Sequence, residues 1–148
     1  MKDLKHIWSL ACRETVINQD DNILSIQGIL EEIAIDIPSS PDTNTIPEKI
    51  NLPITYEIVS FWYKKDLKKN FKGQVRFILS NEKGIELFNT TQSLEIPAEN
   101  LRFRSRMKIQ GMTIQGAGEY SISVSGKEDK DKEYELLAEI PLTIKINS

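Results

Sequence analysis

Apolar and polar side chains alternate with a period of two along most of this chain, a repeat that suits strands and cannot line one face of a helix. It is cleanest at residues 74–80, where Val75, Phe77 and Leu79 face one way and Gln74, Arg76 and Ser80 the other. Residues 101–110 repeat it, with Phe103, Met107 and Ile109 set against Arg102, Arg104, Arg106 and Lys108. In residues 119–125, Tyr120, Ile122 and Val124 alternate with serines, and a strand over 134–146 would place Leu136, Ala138, Ile140, Leu142, Ile144 and Ile146 on one face. Near the start, residues 6–17 read as a strand with Trp8, Leu10 and Cys12 on one face and Ser9, Ala11 and Arg13 on the other. Residues 23–35 form a second strand, and residues 50–64, rich in aromatic and β-branched side chains, a third. Residues 85–96 pair back on 74–80 through the turn Asn81-Glu82-Lys83-Gly84.

The punctuation between these runs sets the architecture. The cluster Asn18-Gln19-Asp20-Asp21-Asn22 turns the first two strands into a long hairpin, and Gly28 predicts a bulge or a close backbone approach in the second of them. Pro38, Pro41 and Pro47 mark residues 36–49 as a loop long enough to cross between two sheets. Residues 65–73 form a basic loop, Pro97-Ala98-Glu99-Asn100 breaks a strand, and Lys127–Glu133 is a charged, solvated turn. Helix fits only as a turn or two, at 65–72 or 97–100. About eight strands joined by short turns predict an all-β fold: an antiparallel β-sandwich, immunoglobulin-like in architecture, forming one domain over residues 1–148. A chain of this length buries about 68–70% of its unfolded surface and needs no covalent staple.

Charge and rare residues narrow the functions open to such a fold. A net charge of −3 argues against general nucleic-acid binding, which needs a basic footprint. The one cysteine, Cys12, forbids an internal disulfide and suits a reducing, cytoplasmic setting; it reads as a small core residue. The one histidine, His6, argues against a His-rich zinc site or a Ser-His-Asp triad. No apolar run reaches the length of a membrane-spanning helix. Lys2 and Lys5 before Ile7–Cys12 loosely imitate a lipoprotein signal, but the apolar stretch is short and Arg13-Glu14 follows it. Glu31 and Glu32 point to opposite faces of a strand and make no acid–base pair. The acidic tips at Asp20-Asp21-Asn22 and at Asp129 and Asp131 lack calcium-loop spacing and match ordinary turn chemistry. Gly111, Gly116 and Gly118 precede a strand rather than a helix, so they connect strands and do not cradle phosphate. No cofactor or metal is implied.

Two constellations stand out. Arg102, Arg104, Arg106 and Lys108 would line one strand face at steps of about 6.6 Å, a row able to meet an anion or polyanion. The plainer reading is a solvent-facing strand whose cations meet carboxylates on neighbouring strands. The lysines of residues 65–72 would lengthen the row if they lie beside it. The second constellation is aromatic: Tyr56 and Trp62, with Phe61 and Tyr63 on the same run, could offer an exposed platform to a partner or a sugar. Its plainer reading is a central strand covered on one face by the core and on the other by the Pro-rich loop.

Leu10-Ala11-Cys12-Arg13, followed by a polar turn and Leu24-Ser25-Ile26-Gln27-Gly28-Ile29-Leu30-Glu31-Glu32, together with Gly118-Glu119-Tyr120-Ser121-Ile122-Ser123-Val124, resembles a family of small bacterial proteins of unknown function. The resemblance covers about a third of the chain. It implies a bacterial β-sandwich opening on a long hairpin, and it supplies no activity and no functional residue. The late Gly-x-Tyr strand is also similar to that of immunoglobulin-like domains, where the tyrosine bonds back to the backbone, although the inter-sheet cysteine pair is missing here. The reading reached from the residues is a non-enzymatic module that binds a protein partner or itself through a sheet face or edge. Two alternatives stand beside it: a polyanion-binding domain using the basic row, and a carbohydrate-binding or hydrolase domain with a site built from end loops.

Overall fold

The computed structural model describes residues 1–36 and 49–147. Nine strands and no helix occur among the described residues: β1 (Leu4–Ile17), β2 (Leu24–Ile29), β3 (Glu32–Asp36), β4 (Ile50–Lys64), β5 (Phe71–Ser80), β6 (Glu86–Ile96), β7 (Arg102–Ile114), β8 (Gly118–Glu128) and β9 (Glu135–Asn147). They form two sheets, ordered β2-β1-β4-β7 and β3-β9-β8-β5-β6. The protein is a β-sandwich, as the alternation requires: each sheet turns one set of alternate residues toward the other. From the five-stranded sheet come Val75, Phe77, Leu79, Tyr120, Ile122, Val124, Ile140, Leu142 and Ile144; from the four-stranded sheet, Tyr56, Ile58, Trp62 and Ile109.

Several expectations need adjustment. The second expected strand, 23–35, is two: β2 stays with β1, whereas β3 crosses to the other sheet and pairs in parallel with β9. The sandwich is therefore antiparallel except at one edge. No register shift marks a bulge at Gly28; its φ of 67° and the close approach of the Arg13 side chain, on which any Cβ there would press, are what require glycine. The expected inward row on β9 fails at its start. A register shift between Val124 and Ser125 leaves Leu136 57% exposed and packs Leu137 against the core instead. The expected solvated turn after Gly126 begins later, since β8 continues to Glu128, whose buried carboxylate takes Asp3 N–H and Lys130. The Pro-rich loop lies outside the described residues, although the strands before and after it belong to different sheets. Tyr120 does bond back to the backbone: its hydroxyl donates to Gly116 O and accepts from Gln115 N–H.

A polar thread runs through the four-stranded sheet's inner face. A bulge between His6 and Trp8 places His6 and Ser9 on the same side. His6 Nε2 lies 2.6 Å from Ser9 Oγ, which lies 2.6 Å from Ser60 Oγ; the His6 ring meets Trp62 edge-on at 5.1 Å. At the end of β4, buried Lys64 holds the 97–100 turn by donating to Pro97 O and Ala98 O.

Burial lowers the His6 pKa below its ordinary 6.5. The unfolded chain therefore binds the His6 proton first as pH falls, so stability should drop between pH 6.5 and the lower folded-state value, and level off below it. Urea midpoints from pH 7.5 to 5 will check this. The slope contributed over that window should vanish in His6→Gln.

Candidate functional site

The outer face of the β2-β1-β4-β7 sheet is where the sequence and the fold converge. Strand register fixes its composition. Arg102, Arg104, Arg106 and Lys108 on β7 stand opposite Tyr63, Phe61, Val59 and Glu57 on β4, so the four cations share a face with the odd-numbered residues of β4. On the far side of β4, Trp8 pairs with Phe61, Leu10 with Val59 and Cys12 with Glu57. Arg102, Arg106 and Lys108 are exposed and Arg104 is half-buried.

This face is partly roofed by the chain's own first hairpin. β1 leaves β4 after the Cys12–Glu57 pair and runs on to Ile17 paired with β2 alone. That distal hairpin lies across the sheet and is fastened at two places. Glu57 Oε2 accepts from Thr15 N–H at 2.5 Å and Thr15 Oγ1–H at 3.1 Å, and Arg106 donates to Thr15 Oγ1 at 3.2 Å. Nearer the tip, Arg104 donates to Asn22 O at 3.0 Å and Asn22 Oδ1 at 2.8 Å. Beneath, Val59 and Cys12 are fully buried although they face away from the sandwich interior. Cys12 is thus buried, but under the hairpin rather than in the inter-sheet core. Burial pushes its thiol pKa up, and the charge of Glu57 adds to the effect, against a backbone hydrogen bond at Glu14.

Between hairpin and sheet a cleft of about 490 Å³ remains. Its floor is Trp8 stacked on Phe61, with centroids 5.8 Å apart and planes 27° from parallel. Leu24, Ile26 and Asn22 of the hairpin form one wall, and Arg102, Phe103 and Arg104 complete the lining.

The expected cross-strand ion pairs are missing. None of Arg102, Arg104, Arg106 and Lys108 makes an ion pair among the described residues. The carboxylate in their register, Glu57, is turned to Thr15. The lysine loop does not lengthen the row at Lys72, which lies on β5 of the other sheet and faces Glu95 at 3.6 Å.

The aromatic platform must be corrected. Tyr56 is 1% exposed and Trp62 0%, both on the inner face of β4, where Trp62 Nε1 donates to Ser105 Oγ at 2.9 Å. Burial pushes the Tyr56 phenol up to about 12. The aromatics that share the outer face with the cations are Phe61 and Tyr63, in register with Arg104 and Arg102, and Trp8 beyond Phe61. Sequence alternation separated Trp62 from Phe61 but not inside from outside, and Trp8 joins the site through a register that sequence does not reveal. The hairpin contributions of Asn22, Leu24 and Ile26 left no sequence signal of a site.

Among the described residues, no group of three or more His, Cys, Asp or Glu side chains is placed to hold a metal ion. Nor is any helix long and apolar enough to cross a membrane.

No protein-family model matches this sequence, and no curated protein does. Among solved structures, the chain is similar to part of "a beta-glucuronidase from glycoside hydrolase family 2", with 14% identity over 68% of this chain and a TM-score of 0.45. It is similar also to the C-terminal domain of wzt, with 10% identity over 65% of this chain and a TM-score of 0.42. A third likeness, to the N-terminal domain of PorA, has 10% identity over 94% of this chain and 97% of that one, with a TM-score of 0.28. The chain spans 10% of the first of these proteins and 62% of the second.

Proposed function

We propose that this chain is a non-enzymatic binding module that takes an anionic partner on the outer face of the β2-β1-β4-β7 sheet. One observation carries the reading: four cations stand in a single strand row with no ion pair among the described residues, and the carboxylate facing them is already committed to Thr15. Arg102 and Lys108 have no hydrogen-bond or ion-pair partner among the described residues, and Arg104 and Arg106 spend only part of their donors on Asn22 and Thr15, so a polyanion can engage several of the row at a time. The overall charge of −3 limits this attraction to the one face and disfavours indiscriminate binding to nucleic acid. A single buried cysteine keeps the reading compatible with a reducing, cytoplasmic setting.

Retention on immobilised heparin and binding to inorganic polyphosphate at low salt test the reading. The wild type should bind and release as salt rises. The double variant Arg106→Glu/Lys108→Glu should bind about tenfold more weakly or worse, since each exposed charge contact is worth up to about 1 kcal/mol. A wild type that binds neither probe at low salt would end the proposal.

A further inference from the structure

The cleft under the hairpin is chemically narrower than the face around it. Resting on the anion-binding reading, we infer that it seats a single monocarboxylate carried on a ring with an apolar face. Its volume of about 490 Å³ falls in the range of ligand-sized pockets, about 300–1,000 Å³. Three features then fix the class of occupant.

The floor is aromatic. Trp8 and Phe61 stack on adjacent strands with their planes 27° apart, and both half-buried rings line the cleft. The opposite wall is aliphatic, from Leu24 and Ile26. A slot between an aromatic floor and an aliphatic wall favours a ring with an apolar face over a compact, fully hydrated anion. At the mouth stand two guanidiniums in different states. Arg104 is turned to Asn22 by two hydrogen bonds, whereas Arg102 has no hydrogen-bond or ion-pair partner among the described residues. One open guanidinium fork matches one planar carboxylate in bidentate fashion. A phosphate dianion would leave a charge facing the apolar walls. Arg106 and Lys108 do not line the cleft, so they remain to hold the rest of an extended anion outside it.

A ring carboxylate comes from two sources, a free cyclic acid or a uronate unit of a polymer, and the chemistry at the cleft is the same. The test is a titration followed by Trp8 fluorescence, with Trp62 as a buried and constant background. The probes are cyclohexanecarboxylate and phenylacetate for the free acids, galacturonate oligomers for the polymer, acetate for charge without a ring, and galactose for a ring without charge. Saturable binding of a ring carboxylate, at least about tenfold tighter than acetate or galactose, is expected. Arg102→Gln, at an exposed position, should weaken it about tenfold, and Phe61→Ala should do the same while keeping the reporter. Oligomers binding better than the free acids would assign the source to a polymer, and the reverse to a free acid; both support the cleft chemistry. Equal binding of acetate, no saturation by any ring carboxylate, or indifference to Arg102→Gln would overturn it. Polyphosphate retention in the same preparation separates the two readings. If it persists while every ring carboxylate fails, the cleft inference falls and the anion-binding face stands; if both fail, both fall.

Discussion

Trp62→Ala is expected to cost about 3–5 kcal/mol of folding stability, a large share of the roughly 5–15 kcal/mol a domain of this size has. The reason is position as much as size. Trp62 is wholly buried on β4, the strand flanked by β1 and β7, and its ring meets His6 on one neighbour while its indole N–H bonds Ser105 on the other. Truncation opens a cavity that two hydrogen-bonded strands cannot close by collapsing. It also leaves a buried hydroxyl short of a partner. Trp62→Phe should retain most of the filling and lose mainly the Ser105 bond, about 1–2 kcal/mol. Urea unfolding followed by far-ultraviolet circular dichroism will measure both. An alanine variant within about 1 kcal/mol of wild type would mean that the core is not packed around Trp62.

Architecture and strand register were not equally legible in the sequence. Period-two alternation carried the architecture because burial on one face demands it: Val75, Phe77 and Leu79 point inward and are buried, as expected. The same rule failed where a single residue is inserted or skipped. The bulge after His6 flips the face of the later residues of β1, and an extra residue in β9 opposite Val124 and Ser125 puts Leu136 out of phase with Ile140, Leu142 and Ile144; neither Ile7 nor Leu137, the inserted residues, announces itself as a glycine or proline would. The parallel pairing of β3 with β9 was likewise hidden, because Glu32–Asp36 shows ordinary alternation and pairing direction is a long-range choice.

The site was legible only in part. Arg102, Arg104, Arg106 and Lys108 stand out because four cations on one strand face are uncommon, and the strand was placed where β7 lies. Which aromatics join them depends on which face of β4 turns outward. Tyr56 and Trp62 share the face that turns inward, and large aromatics are what a core between two sheets uses to fill its width. The roof could not be foreseen. Nothing local to Thr15 or Asn22 says that a hairpin will bend back over its own sheet; the bend depends on Glu57, Arg104 and Arg106, residues 35 or more positions away.

If Glu57 and Thr15 fasten the hairpin, removing that fastening should expose Cys12. Glu57→Ala withdraws the acceptor of Thr15 N–H and Oγ1–H, and an amide left unsatisfied in this part-buried position costs about 1–3 kcal/mol. That cost falls on the closed hairpin rather than on the core, since Glu57 faces outward. Thiol labelling that proceeds through local opening should therefore quicken by roughly 10- to 100-fold, with a much smaller change in the urea midpoint. Part of the gain has a second source: Glu57 helps to raise the Cys12 pKa, so its removal also favours the reactive thiolate. Glu57→Gln separates the two, because the amide oxygen can still accept from Thr15 while the charge is gone. It should stay near the wild-type labelling rate after correction for thiolate fraction. Equal labelling of the wild type and Glu57→Ala would show that Thr15 and Glu57 do not hold the roof. The walls of the cleft would then have to be kept in place by the Arg104–Asn22 and Arg106–Thr15 contacts.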